Sequence, residues 1–328
     1  MEIRHLQLGS CPDSWGVWYA SDPRQTPWQR FLDEMVAAGY SWLELGPYGY
    51  LPTDPAQLAD ALAARGLSCA GGTVAGVGGP HQNFTAVVEA TRAVAALTAA
   101  VGGGNVVFVP VPGYRDDVTG AYLGPAVLPP DDWRALTSNS NTLGRILLEE
   151  YGVHLRFHPH ADYQVETQEQ TEHFLEETDP RFVSLCLDTG HLAYRGADVP
   201  GLIRKYPDRI GYVHIKQMDP AIVARAEASD MAFGQAVALG ASCEPPAGLP
   251  DIPAVTAALA ELDAELFVVV EQDMYPVDFD VPLPIATRTR SYLNSVGLHS
   301  RAAAGPAAQA AAVQPSAVQP EEKPDDQT

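Results

Sequence analysis

The chain has 328 residues, 46% of them hydrophobic, and a formal net charge of -21. That length is enough for a substantial core, and the charge disfavours nucleic acid, whose phosphates demand clustered Lys and Arg. No apolar run approaches the roughly 18–20 residues that cross a bilayer, and "MEIRHLQLGS" lacks the basic and apolar regions of a secretory leader. Four scattered cysteines (Cys11, Cys69, Cys186, Cys243) form no CxxC pair and read as reduced thiols of a cytoplasmic protein.

In chain order, "HLQLGS" is a first strand. An amphipathic helix follows, with Trp28, Phe31, Met35 and Ala38 at helical spacing and Gly39 as its stop. The strand "SWLELG", the helix "PAQLADALAARG" and the strand "LSCAGGTV" come next. The glycine-rich "GGTVAGVGG" reads as a turn or lid. A helix from Phe84 to Val101 precedes the strand "NVVFVPV", and a helix from Asp132 to Tyr151 leads into "GVHLRFH". Then "EQTEHFLEE", "FVSLCLD", "VPGLIRKYP", "RIGYVHIK", "IPAVTAALAEL" and "ELFVVVEQ" alternate helix and strand. Eight strands alternating with helices predict an α/β fold, a single (β/α)8 TIM barrel. No G-x-G-x-x-G or Walker sequence follows a strand, which removes support from an open nucleotide-binding sheet. The predicted barrel covers residues 1–298. Residues 299–328, rich in Ala, Pro and Gln, have no periodic apolar face and are expected to form a disordered tail.

Chemistry in such a barrel sits at the C-terminal ends of the strands. Strand five ends at His158, strand six at Asp188, strand seven at His214 and strand eight at Glu271. Side chains alternate between the faces of a strand. Cys186 therefore shares the face of Asp188, Tyr212 and Lys216 that of His214, and Val269 and Asp273 that of Glu271. Aimed inward, the four strand-end residues bring two imidazoles and two carboxylates to one point, a site for a divalent cation. Taken alone, Asp188 reads equally well as a cap of the turn that follows it. Four such residues on four successive strands read as one shared site.

The stretches "LDTGHLAY", "YVHIKQ" and "VVVEQD", with "HPHADYQVET" before them, resemble the xylose isomerase-like TIM-barrel superfamily of sugar isomerases and epimerases, inosose dehydratases and endonuclease IV repair enzymes. The inosose dehydratase branch is the nearest in pattern, with H-x-H on strand five, DTGH on strand six and VH-x-K on strand seven. Ala236 to Leu259 is similar to a degraded form of that branch's PG-x-G-x-D element. The resemblance covers roughly residues 3–295 and implies a metal held by His158, Asp188, His214 and Glu271. The superfamily usually places glutamate where His158 stands, so the two-glutamate proton exchange of its epimerases lacks one carboxylate here. His160 or Glu166 is the alternative occupant of that position, as ligand or as acid/base.

The resemblance implies a metal-dependent dehydratase of a keto-sugar or keto-cyclitol, working through an enediolate. The alternatives are a sugar isomerase or epimerase, an endonuclease IV-like enzyme, and a non-catalytic metal- or sugar-binding barrel. Two imidazoles suit Mn2+ or Co2+, and also Zn2+ or Fe2+, better than Mg2+. The catalytic candidates are His160 as proton donor, Glu271, His191 of the DTGH motif, and Lys216 to hold the enediolate. Trp15 and Trp18 after strand one, Glu44 on strand two and Glu166 are the candidate substrate contacts. A phosphorylated substrate would find only Lys216, Arg115 and Arg195 as clamp candidates. The expected partner is a small molecule, with no nucleic acid and no membrane, and the chain is compatible with a homo-oligomer.

Overall fold

The computed structural model describes residues 2–75, 82–110 and 113–302 of the chain. Eight parallel strands close a barrel: β1 (Leu6–Ser10), β2 (Trp42–Pro47), β3 (Ser68–Val74), β4 (Asn105–Phe108), β5 (His154–Phe157), β6 (Val183–Asp188), β7 (Ile210–Ile215) and β10 (Leu266–Val270). Between the last two lie β8 (Gln217–Met218) and β9 (Ser242–Cys243), a short antiparallel pair outside the barrel. The expected (β/α)8 architecture is therefore observed.

Each strand reads its two faces differently. Leu6 and Leu8 of β1 are fully buried in the shell between strands and helices, as are Leu155 and Phe157 of β5. Phe157 stacks on Phe174 of the helix Gln168–Glu177 at 3.8 Å. The opposite faces point inward, where Cys11, Ala70, Val107, Cys186, Tyr212 and Val269 form one apolar layer. Below that layer Arg156 donates from Nε to Asn105 Oδ1 (2.8 Å) and from Nη1 to Ser184 Oγ. Gly211 leaves room for it, since a Cβ there would sit 2.0 Å from Arg156 Nη1. The N-terminal end of the barrel is thus filled, and the open end is the one that receives the strand-end polar residues.

Helix boundaries follow local chemistry. The helix Trp28–Ala38 buries Phe31, Met35 and Ala38 and stops at Gly39 with φ 86°, a left-handed conformation that glycine adopts without cost. The helix expected from Asp132 to Tyr151 runs instead as Pro130–Ile146, with proline at its first turn, and continues as a wider turn over Leu147–Tyr151. Among the described residues, four α-helices escaped the periodicity reading: Thr189–Tyr194, Pro220–Ala228, Phe233–Ala238 and Pro282–Ser295. The first and third have six residues each, too few for a recurring apolar spacing to register.

The expected domain boundary at 298 is corrected. Leu8 donates its amide to His299 O, Ser41 donates its amide to Ser300 Oγ, and Trp42 Nε1 donates to Arg301 O. The chain is therefore tied to β1 and β2 through residue 301. Residues 303–328, where the disordered tail is expected, lie outside the described residues, as do residues 76–79 of the glycine-rich "GGTVAGVGG", whose first four residues are strand of β3 and not turn or lid.

Candidate active site

Asp188 and His214 are register partners on β6 and β7, and His214 partners Val269 on β10. Paired residues of parallel neighbours share a face, so the two side chains enter the open end together. His158 follows the last residue of β5, and Glu271 that of β10. His158 Nε2 lies 3.5 Å from Asp188 Oδ2 and 3.8 Å from Glu271 Oε2. His214 Nδ1 lies 2.8 Å from Glu271 Oε2 and 3.7 Å from Asp188 Oδ2. The structure brings these four together and buries them all.

The two oxygens of Asp188 stand in different surroundings. Oδ1 accepts from the amides of Gly190 (2.8 Å) and His191 (2.7 Å), capping the short helix Thr189–Tyr194. Oδ2 is buried without a hydrogen-bond partner. Ligands held 2.0–2.2 Å from one ion stand at most roughly 4.2 Å apart, and the separations around Asp188 Oδ2 fall inside that limit. An orphaned carboxylate oxygen facing two imidazoles and a second carboxylate fits a divalent transition ion. His191 adjoins the group, since ligand atoms of His158, Asp188, His191 and Glu271 are all within 4.8 Å of one another, and its Nε2 lies 2.9 Å from Lys216 Nζ.

Charge organises the surroundings. Lys216 Nζ lies 2.8 Å from Asp273 Oδ2, 3.0 Å from Glu271 Oε2 and 3.4 Å from Asp188 Oδ2. Burial opposes its charge, but these carboxylates outweigh burial and raise its pKa well above the usual lysine value. Burial likewise opposes an imidazolium at His158, and Asp188 and Glu271 overcome it, so the pKa rises. His214 is raised in the same way despite burial, with Cys186, Glu271 and Glu44 as the raising neighbours. Glu44 Oε2 sits 2.8 Å from His214 Nε2, and Thr73 Oγ1 donates to its other oxygen. His160 and His191 behave oppositely. Burial first, and then the neighbouring histidines and Lys216, press both pKa values well below 6.5 and keep the rings neutral. The two ring centroids lie 3.8 Å apart, with the planes tilted by 36°.

A cavity of about 360 Å3 opens over this cluster. Asp13, Glu44, His158, His160, His214 and Glu271 are among its polar lining, with Trp18 and Phe233 on its apolar wall. Several expectations need correction. Trp15 is fully buried away from the cavity, edge-on to Phe31 at 5.1 Å with Nε1 donating to Glu34 (2.9 Å); Trp18 is the tryptophan that lines the cavity. Glu166 is no substrate contact, because Tyr114 Oη (2.9 Å), the Asp162 amide (2.8 Å) and Arg195 Nε (2.7 Å) already donate to its two oxygens. Lys216, expected to hold an enediolate, does not line the cavity and spends its ammonium on the carboxylates behind it. His160 is not set up to donate a proton. Its Nδ1 lies 2.7 Å from Ala161 O and must carry the hydrogen, so Nε2 keeps a free lone pair. The clamp candidates are also committed: Arg195 to Glu166 and Asp162 (2.7 Å each), and Arg115 to Asp230 and Gly120 O (3.0 Å each).

Sequence reasoning passed over Asp13, Asp117 and Phe233. Asp13 was within reach of the strand-end argument, since it lies three residues past β1 in "CPDSW". Asp117 and Phe233 sit in connections whose course no periodicity encodes.

The architecture defines a TIM barrel with a cluster of His, Asp and Glu at its strand ends, and residues 32–291 match the family described as xylose isomerase-like TIM barrel. The chain belongs to that family. It is similar to an inosose dehydratase of Geobacillus thermodenitrificans, 30% identical over 270 residues that cover 81% of this chain and 88% of the relative. Among solved structures it resembles an L-ribulose 3-epimerase, with TM-score 0.65 and 19% identity over 89% of this chain and 94% of the other. It also resembles the IOLI protein with a bound zinc atom, with TM-score 0.63 and 17% identity over 89% of this chain and 98% of that one. Identities this low extend the fold alone.

Proposed function

We propose that this protein is a divalent-metal-dependent carbon–oxygen lyase that dehydrates a neutral keto-cyclitol or keto-sugar, the class of reaction named by its inosose dehydratase relatives. The observation that carries the reading is the buried cluster of His158, Asp188, His214 and Glu271, of which His158, His214 and Glu271 line one cavity with a neutral imidazole, His160. His158, Asp188, His214 and Glu271 would hold the ion, with two imidazoles favouring Mn2+ or Co2+. Once bound, the ion supplies Lewis acidity that makes the C–H beside the substrate's carbonyl easier to ionise.

The remaining work falls to the chain's own side chains. His160 Nε2, unprotonated and lining the cavity, accepts the carbon-bound proton. Glu44 fixes the ring of His214 from behind, as an outer carboxylate does for a metal-bound histidine. Asp13 and Asp273 accept hydrogen bonds from substrate hydroxyls, and Glu44 lines the same cavity. Trp18 offers a flat apolar face to a sugar ring. Arg115 is the only Arg or Lys among the described residues that line the cavity, and it is tied to Asp230, so a substrate without a phosphate suits the site. The four free thiols support a cytoplasmic setting, and the net charge supports a small-molecule partner over nucleic acid.

The test is product analysis with scyllo-inosose and Mn2+. The expected product is a conjugated diketone that absorbs in the ultraviolet, formed only when the metal is present. Formation of an epimer alone would replace dehydration by epimerisation, and turnover by metal-stripped protein would remove the metal from the reaction.

A further inference from the structure

A second cavity of about 500 Å3 adjoins the first. The two share Trp18, Tyr19 and Asp117 in their walls. The outer cavity has the chemistry of a sugar subsite. Trp18 and Tyr275 stack at 5.2 Å and 28°, with Tyr19 edge-on to Tyr275, and Tyr275 Oη donates to Asp22 (2.9 Å). The inner chamber alone is large enough for a simple cyclic ketone, so the outer one offers room for a larger substrate. Asp117 stands at the junction. Its Oδ1 is buried without a hydrogen-bond partner, and its loop packs so closely on the helix Phe233–Ala238 that a Cβ at Gly234 would meet Asp117 O at 2.5 Å.

We propose that the eliminated oxygen carries a second group, seated in the outer cavity, so that the enzyme cleaves keto-glycosides by β-elimination with Asp117 as the general acid. This rests on the elimination reading given above. The step balances without an added oxidant or reductant. His160 Nε2 takes the proton from the carbon beside the ketone, and the released electron pair forms the carbon–carbon double bond. The β-carbon–oxygen bond breaks with its electrons left on oxygen, and Asp117 delivers the proton that lets an alcohol leave. The ketone must already be present, so a reaction that oxidises a glycoside hydroxyl has to supply the substrate. Burial, with the charges of Asp162 and Asp273 next, holds the Asp117 carboxyl protonated up to about 7, which suits a donor at neutral pH.

The test compares four substrates with the full chain and Mn2+: scyllo-inosose, a methyl 3-keto-glucoside, a 4-nitrophenyl 3-keto-glucoside and a 3-keto-disaccharide. The keto-glycosides are expected to release their alcohols with kcat/KM at or above that for scyllo-inosose. Asp117→Asn is expected to lower kcat for the methyl glycoside about 100-fold and to spare the 4-nitrophenyl glycoside, whose leaving group departs without a proton. Ala238→Trp, which adds bulk at an exposed position lining the outer cavity, is expected to lower kcat/KM for the keto-disaccharide about ten-fold relative to scyllo-inosose. Turnover of scyllo-inosose without cleavage of any keto-glycoside overturns this inference and leaves the dehydratase reading intact. Equal losses on both glycosides in Asp117→Asn would demote Asp117 to a structural residue. An unchanged substrate ratio in Ala238→Trp would remove the outer cavity from recognition. Failure of all four substrates overturns the parent reading as well.

Discussion

Asp117 faces Asp116 within its own loop, Asp162 from the loop after β5, Asp273 from beyond β10, and the phenols of Tyr19 and Tyr163. Its carboxyl ionises only near 7 when folded, against 3.8 when unfolded. The sign follows by linkage: the folded state holds this proton more tightly, so stability falls as pH rises from about 4 to about 7 and then levels. Asp117→Asn should remove that slope from a denaturation series across this pH range. Wild-type cleavage of a methyl keto-glycoside should lose activity as pH rises through 7, and a flat profile there would argue against a proton from Asp117. At this scale the sequence revealed residue types but not their hydrogen-bond states. His160 was legible as a functional histidine of the H-x-H element. That it faces the site as an acceptor depends on Ala161 O at 2.7 Å, a contact no motif encodes. Glu166 looked equally available in sequence, and only the positions of Tyr114 and Arg195 show it to be a tie between loops.

Elements deliver these residues by close packing. The short helix Thr189–Tyr194 presses its second residue against Lys216, and a Cβ at Gly190 would lie 2.3 Å from Lys216 Cγ. Gly190→Ala should therefore displace Lys216 from its carboxylates and destabilise the fold by about 1–3 kcal/mol, read as a lowered urea midpoint. The helix Gln168–Glu177 begins with a reciprocal cap, in which the Gln170 amide donates to Thr167 Oγ1 (3.2 Å) and the Thr167 amide to Gln170 Oε1 (3.1 Å). Thr167→Ala should cost about 1 kcal/mol by the same measurement, with metal content unchanged. Strands β7 and β10 were legible because both faces are apolar until the polar residue at the open end, a contrast visible in "GYVHIK" and "FVVVEQ". The stretch 220–238 was not, because the helix Pro220–Ala228 buries only Ala226 and so shows no apolar stripe, and Phe233–Ala238 has only six residues.

Across the whole molecule, barrel closure turns four distant stretches into one site. Asp188 and His214 become register partners, and His158 and Glu271 arrive from flanking strands of the same ring. That convergence was readable from strand order alone, because a closed parallel barrel leaves its strand ends nowhere else to meet. The cavities, the fate of Lys216 and the docking of residues 299–301 depended on loop paths and so appeared only in three dimensions. The central claim is that these four side chains form a metal centre, and it is tested most directly by the metal content of the purified full-length chain beside Asp188→Asn. Asparagine keeps an oxygen to cap Gly190 and His191 but removes the charge. Elemental analysis should find a bound divalent transition metal in the wild type and its loss in the folded variant. Equal metal in both proteins would contradict the account.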